Sequence, residues 1–260
     1  MTQATTSTER FGNRVADYVK YRPTYPAAAI DFICTELVLT QDSAIADLGS
    51  GTGISALPFL QRGITVLCIE PNAQMRAAQE SYLAGYDTMR SVDGTAEHTT
   101  LPDQAIDHAI AAQAFHWFDR PNVARELHRV LRPGGKLALL WNERLTETTS
   151  FLREYENILQ TYGTDYATVD HRNISREVLT EFFGPQFIEQ EFSNVQHVDL
   201  DGLLGRARSS SYLPSEGEPR FDEMIAALKA LFGSHEHDGF VNLEYTCKIY
   251  IGKPALTHSH

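Results

Sequence analysis

The sequence predicts an α/β fold, a mostly parallel sheet with helices on both faces, and three observations predict it. From Ser43 to Trp141, short apolar runs of strand length alternate with helical patterns of about ten residues, as right-handed βαβ units require. Three glycines within Gly49 to Gly53 join the first run to the first helical stretch. The last run, Asn242 to Ile251, alternates apolar Leu243, Tyr245, Cys247, Ile249 and Ile251 with polar residues, which suits an antiparallel strand closing the sheet.

The elements follow in order. Ser43 to Leu48 is a short apolar strand, and Ile54 to Arg62 a helix whose Leu57 and Leu60 share one side. Ile64 to Ile69, bounded by Gly63 and Pro71, is a β-branched buried strand. Asn72 can cap a helix that runs to Leu83. Thr88 to Val92 and Ala105 to Ala112 are the third and fourth strands. Asn122 to Leu131 is a helix stopped by Pro133-Gly134-Gly135, and Lys136 to Trp141 is the fifth strand. Beyond Asn142, helices over Thr149 to Tyr162 and Ser175 to Phe183 precede two strands, Phe187 to Val198 and Asn242 to Ile251, with a helical insertion from Leu200 to Phe232 between them. A chain of 260 residues, 29.1 kDa, fits one decorated domain, so none of these joints reads as a domain boundary.

Composition removes several classes. With 42% hydrophobic and 22% charged residues the chain is neither disordered, collagenous nor disulfide-built. Its formal charge of −12 provides no footprint for a nucleic acid or an anionic membrane surface. Cys34, Cys68 and Cys247 form no CxxC pair and fit a reducing, cytoplasmic setting. The start, MTQATTSTERFGNR, has no apolar core of an export signal, and the longest apolar runs are strand-sized, so no membrane span is expected. The ten histidines make no metal-ligand pair on a predicted helix, and His235 and His237 beside Asp238 sit in a polar loop, so no metal is expected.

The chemistry concentrates in three places. Asp47-Leu48-Gly49-Ser50-Gly51-Thr52-Gly53 lies between strand and helix, where glycine permits close backbone approach and a helix start offers free N–H groups. Its spacing is G-x-G-x-G; the dinucleotide pattern G-x-G-x-x-G fails at Ile54, which weakens a nicotinamide oxidoreductase reading. Glu70 follows the second strand, where a carboxylate can accept from both hydroxyls of a ribose. Gly94-Thr95-Ala96-Glu97 follows the third strand, where an N–H and a side chain can read an adenine edge.

With these residues in place, the chain resembles the class I S-adenosylmethionine-dependent methyltransferases, in the subgroup called methyltransferase type 11. The resemblance runs from Phe11 to about Arg144 and rests on DLGSGTG, Glu70, DGTAE, LPDQAID and LRPGGKLAL. It implies a Rossmann-like seven-stranded sheet of order 3-2-1-4-5-7-6 with strand seven antiparallel. It also divides the single domain into an N-terminal helical cap (1–42), a cofactor-binding core (43–142) and a sheet-completing part (143–260) whose insertion, about 200–232, lies on the substrate side. It implies S-adenosylmethionine as cofactor, with Asp47, Gly49, Ser50, Gly51, Thr52 and Gly53 around the methionine moiety, Glu70, Asn72 and Ala73 near ribose and adenine, Ala96 and Glu97 at adenine, and Gln113 beside them.

Two further stretches resemble the trans-aconitate methyltransferase-like branch: Tyr21-Arg22-Pro23-Thr24-Tyr25-Pro26, and Gln113-Ala114-Phe115-His116-Trp117-Phe118 after strand four. They imply a small-molecule acceptor at Tyr18, Arg22, Tyr25 and Trp117. Chemistry adds Arg206 and Arg208 as cationic anchors for a carboxylate, with hydroxyls of Ser209, Ser210, Ser211 and Tyr212. Arg22 and His116 are the catalytic candidates: a carboxylate needs no base, whereas a hydroxyl, phenol or thiol acceptor would need His116 as one. The base-amine motif Asn/Asp-Pro-Pro-Tyr/Phe is replaced here by Ala112-Gln113-Ala114-Phe115, and no cysteine follows a proline, so nucleobase methylation is disfavoured. A non-catalytic S-adenosylmethionine-binding module is the rival of another class. The expected assembly is a monomer or weak dimer.

Overall fold

The structure is a computed structural model that describes residues 21–164, 174–210 and 212–255. Its strands are β1 (Ala44–Leu48), β2 (Thr65–Ile69), β3 (Met89–Val92), β4 (His108–Ala112), β5 (Leu137–Arg144), β6 (Ile188–Val198) and β7 (Val241–Gly252). They form one sheet of order β3-β2-β1-β4-β5-β7-β6. β1 pairs in parallel with β2 and β4, β2 with β3, and β4 with β5. β7 runs the other way. Leu145, just past β5, donates its N–H to Glu244 near the start of β7. Gln196 reaches Tyr245, whereas Glu191, earlier in β6, reaches Lys248, later in β7. The predicted Rossmann-like architecture is therefore present.

The helices are α1 (Ala27–Glu36), α2 (Leu57–Leu60), α3 (Ala73–Tyr82), α4 (Arg120–Val130), α5 (Ser150–Tyr162), α6 (Arg176–Phe183), α7 (Leu200–Arg208) and α8 (Phe221–His235). Short polar residues begin five of them: Asn72, Asp119, Thr149, Ser175 and Asp199 each accept a first-turn N–H. Two elements are shorter than expected. The helix predicted over 54–62 contracts to α2: Gly53, at φ +85, turns back to Ser50, and residues 54–56 form a turn, closed by Leu57 N–H on Gly53 O, ahead of the regular helix. β4 starts at His108 and not at Ala105, because the Asp107 carboxylate holds Ala44 N at 2.8 Å and Arg132 at 2.7 Å.

The described chain divides into two compact units. A core unit comprises 24–142, 174–192 and 247–255; a helical unit comprises 21–23, 143–164, 193–210 and 212–246. The core unit has two apolar layers, and strand periodicity assigns side chains to them. Leu137, Leu139 and Trp141 enter one, and Ala138 and Leu140 the other. The helical unit has its own apolar cluster, with Leu152, Leu203, Met224, Leu228, Leu243 and Tyr245 buried where α8 packs on α5 and α7. Each buried leucine or isoleucine contributes about 1.5–3 kcal/mol relative to exposure. β7 takes part in all three clusters: Val241, Leu243 and Tyr245 in the helical unit, Cys247, Ile249 and Ile251 in one core layer, and Tyr250 in the other.

Cys68 and Cys247 are buried and burial raises both thiols, Cys247 to about 12, so neither is a thiolate near neutral pH. Among the described residues no helix is long and apolar enough to cross a membrane.

Candidate active site

The glycine loop is shaped by three residues in the left-handed region, Gly49, Gly51 and Gly53, at φ +66, +54 and +85. Gly49 and Ser50 both donate their N–H to Ile69 O, at 2.9 and 3.1 Å, which holds the loop against the carboxyl end of β2. The sequence leads one to expect that an added Cβ would intrude on a ligand, and at two of the three positions the protein's own packing adds a further reason. A Cβ at Gly49 would stand 2.9 Å from Ala114 Cβ and one at Gly53 2.6 Å from Leu83 Cδ1, so the protein's own packing demands these glycines. Only at Gly51 does it meet nothing within 4 Å.

Glu70 braces the loop. Its Oε2 accepts from Gly51 N at 3.0 Å and its Oε1 from Asn72 N at 2.9 Å. Each carboxylate oxygen has two lone pairs, so both retain capacity for a hydroxyl donor. Burial raises this carboxyl above its ordinary value, against the lowering effect of the two N–H groups and of Arg76. Arg76 spans the ends of β2 and β3, donating to Glu70 O and, through both Nη atoms, to Asp93.

Asp47, at the end of β1, is fully buried. Ser55 donates to its Oδ2 at 2.6 Å, while Oδ1 has no hydrogen-bond partner among the described residues. Burial pushes its carboxyl up to about 7 despite the Ser55 bond, and the charge of Glu70 pushes the same way.

Gln79 escapes the sequence reading. From α3 its Nε2 donates to Ser50 Oγ at 2.7 Å and Gly51 O at 3.1 Å, which ties the helix to the loop. Its spacing to Met75 and Leu83, four residues either way, is the signal that places it on the buried face. Gln113, just after β4, has φ +56; its N–H donates to Leu140 O and its Nε2 to Asn142 O. Thr52 Oγ1, Gln79 Oε1 and Gln113 Oε1 join Asp47 Oδ1 as buried oxygens without a partner among the described residues.

Other predicted residues have other settings. Ala96 is buried, Ala73 opens α3 in an exposed position, and Glu97 Oε1 accepts from Asp119 N at 2.9 Å, so this acid anchors the start of α4. Phe115, His116 and Trp117 form one 3-10 turn. Phe115 enters the core edge-on to Phe182 at 4.8 Å, whereas the His116 and Trp117 rings lie 4.7 Å apart and Trp117 is 50% exposed. Tyr25 packs on an apolar layer of the core unit.

In the helical unit, Arg22 Nη2 donates to Ser209 O at 2.9 Å and Tyr21 OH to Asp201 at 2.6 Å. The Tyr21 ring lies on α7, where a Cβ at Gly205 would stand 2.2 Å from it. Arg206 and Tyr212 are in this unit too, near enough for the tyrosine to act on the arginine's charge. Tyr18 and Ser211 lie outside the described residues.

Residues 46–139 match the family model of a methyltransferase domain. The matched segment holds the glycine loop, Glu70, Ala96, Glu97, Gln113, His116 and Trp117. An uncharacterised methyltransferase of Mycobacterium tuberculosis is 37% identical over 153 residues, covering 57% of this chain and 58% of the relative. An uncharacterised methyltransferase-like protein of Schizosaccharomyces pombe is 34% identical over 162 residues, covering 60% of this chain and 59% of its own. The chain thus spans less than two thirds of these curated relatives. A more distant relative, 28% identical over 131 residues and matched over 49% of this chain and 48% of its own, is a malonyl-[acyl-carrier protein] O-methyltransferase of Marinomonas. Among solved structures, a proposed type II methyltransferase of Anaeromyxobacter dehalogenans superposes with a TM-score of 0.64 at 24% identity, over 90% of this chain and 98% of that one, so the two share a fold.

The residues of the matched segment fit the cofactor of the class I methyltransferase fold. S-adenosylmethionine brings donors, an ammonium, a ribose diol and an adenine amine, and the loop presents buried acceptors without partners at Asp47 and Gln113, the lone pairs left on Glu70, and room beside Gly51.

Proposed function

We propose that this protein is an S-adenosylmethionine-dependent methyltransferase whose acceptor is a small organic carboxylate. The observation that carries the reading is the set of buried oxygens without partners around the glycine loop, on Asp47, Thr52, Gln79 and Gln113. Each costs about 1–3 kcal/mol if left unsatisfied, and a donor-rich cofactor offsets that cost. When bound, S-adenosylmethionine supplies a methyl group made electrophilic by its sulfonium. The chain's own work is positional. Asp47 receives the ammonium, Glu70 the ribose hydroxyls, and Ala96 and the turn around it the adenine; Asn72 and Ala73 at the start of α3 border the ribose.

A carboxylate acceptor is ionised at neutral pH and needs no base, so His116 positions and Arg22 and Arg206 bind the anion. The likeness to a malonyl O-methyltransferase supports an oxygen acceptor on an acid, and Tyr21 to Pro26 with Gln113 to Phe118 support the trans-aconitate-like branch. The protein is expected to act in the cytoplasm as a monomer or weak dimer, without nucleic-acid partners, in keeping with its charge of −12.

The test is a methyl-transfer screen with labelled cofactor over small carboxylic acids, phenols and thiols. Transfer to an acid at a rate flat from about pH 6.5 to 9 is expected. A preferred acceptor without an anionic group, with activity lost in His116→Ala and rising steeply near the histidine pKa, would overturn the carboxylate reading. Calorimetry showing no affinity for S-adenosylmethionine would overturn the methyltransferase reading itself.

A further inference from the structure

The helical unit contains a polar group that no part of the cofactor chemistry uses. Arg206, in the last turn of α7, has Nη1 buried with no acceptor among the described residues. The groups that act on its charge are the hydroxyls of Tyr245, Tyr155 and Tyr212, and the guanidinium of Arg144. Tyr155 and Tyr245 are buried, and burial pushes the Tyr155 hydroxyl up to about 12, so it remains an O–H donor at neutral pH. Arg144, at the end of β5, lies 5.0 Å from the centre of the Tyr155 ring and is ion-paired with Glu156 on α5. That pair is nearly buried and internally neutral, and Gln160 donates to the second oxygen of Glu156.

Arg144 is offset by Glu156, and among the described residues no carboxylate stands against Arg206. A buried guanidinium N–H without an acceptor lowers stability. Chains accept such a cost where the missing partner is a ligand. What is offered is a planar fork of N–H donors with the Tyr155 hydroxyl near it, the Tyr245 hydroxyl being donated to Gln196, and both oxygens of one carboxylate satisfy that set.

We propose that Arg206 and Tyr155, with Tyr212 and Tyr245 beside them, form a binding site for the carboxylate of a singly charged organic anion, and that the Arg144–Glu156 pair sets the preference for one negative charge. As the seat of the methyl acceptor, the site rests on the function proposed above; as an anion site it stands without it. Arg144, Glu156 and the two buried tyrosines thereby become specificity residues.

The test uses the full chain without cofactor. Calorimetric titration with butyrate, its uncharged amide butyramide, and the dianion succinate is expected to rank butyrate first, with butyramide at least about tenfold weaker. Arg206→Met should lose butyrate binding by about tenfold or more and yet melt at a higher temperature than wild type, because a buried N–H without an acceptor is gone. A residue placed only for structure would lower the melting temperature when removed. Glu156→Gln, by freeing the second positive charge, should shift the preference toward succinate. Tyr155→Phe, which keeps the ring, should weaken butyrate severalfold and serves should Glu156→Gln misfold. Wild-type butyrate affinity in folded Arg206→Met, absence of butyrate binding in the wild type, or a wild-type preference for succinate would overturn the proposal. A parallel titration with S-adenosylmethionine separates the two ideas: butyrate binding without cofactor binding leaves the anion site standing and removes its role as acceptor seat.

Discussion

Asp47 and Glu70 show how one residue type acquires two characters. Both are acids at the carboxyl ends of adjacent parallel strands, yet Glu70 accepts two backbone N–H groups and Asp47 a single hydroxyl. The charge of Asp47 is therefore the more poorly compensated. Its carboxyl, raised to about 7 by burial, binds a proton in the folded state that the unfolded chain has released above about pH 4. The sign follows: its contribution to stability is fully present below the unfolded value and is lost as pH rises through about 7. Asp47→Asn should consequently melt higher than wild type at pH 8.5, by the equivalent of about 1 kcal/mol or more, and by a smaller margin at pH 5. The same variant should bind S-adenosylmethionine more weakly. Thermal scans at the two pH values check the first statement, and an equal difference at both would refute it. Glu126 runs the opposite way. Burial alone would raise it, but bonds from Arg129 and Thr99 hold it at about 2, so its contribution is present above the ordinary carboxyl value and is lost as pH falls toward 2. Acid unfolding should begin below about pH 4.5, and Glu126→Gln should reduce the dependence of stability on pH in that range.

At the scale of elements, what could be read in advance was whatever neighbours along the chain decide. Asn72 was legible as a cap because capping involves only the next three residues, and the structure gives it two N–H donors, from Gln74 and Met75. Asn72→Ala should cost about 1 kcal/mol and lower the melting temperature by about 2–4 °C; an unchanged midpoint would show α3 to be held by packing alone. The sheet order was legible through the family likeness, and the antiparallel sense of β7 through its alternation. The missing half of α2 was not, because apolar spacing at Leu57 and Leu60 says nothing about where the preceding turn gives way to the regular helix. Gln79, Arg144, Glu156 and Tyr155 were also illegible. Their roles depend on partners 12 to 29 residues away or more, as Gln79 to Ser50 and Arg144 to Glu156 illustrate. For the glycines, the pattern showed that a Cβ was excluded but not by what: Leu83 and Ala114 supply the reason at Gly53 and Gly49.

At the scale of the molecule, neither unit is a continuous stretch of chain. The boundaries between them fall within β5, β6 and β7, so each of these strands has residues in both units. A strand cannot lose half its ladder without exposing unpaired N–H and C=O groups, which argues for joint melting. Scanning calorimetry should therefore give one transition with calorimetric and van't Hoff enthalpies in agreement. Two resolved transitions would mean that the clusters melt independently.

β7 has a further consequence, for synthesis. It supplies side chains to every apolar cluster of the described residues, yet it follows all the other strands in chain order. A ribosome adding about 5–20 residues per second delivers the glycine loop, α3 and β4 long before this strand. Until it arrives, β5 has an open edge and each cluster lacks a wall. The nascent chain therefore waits, unsealed, for β7, and a message cut short before Val241 would yield a client for chaperones and proteases.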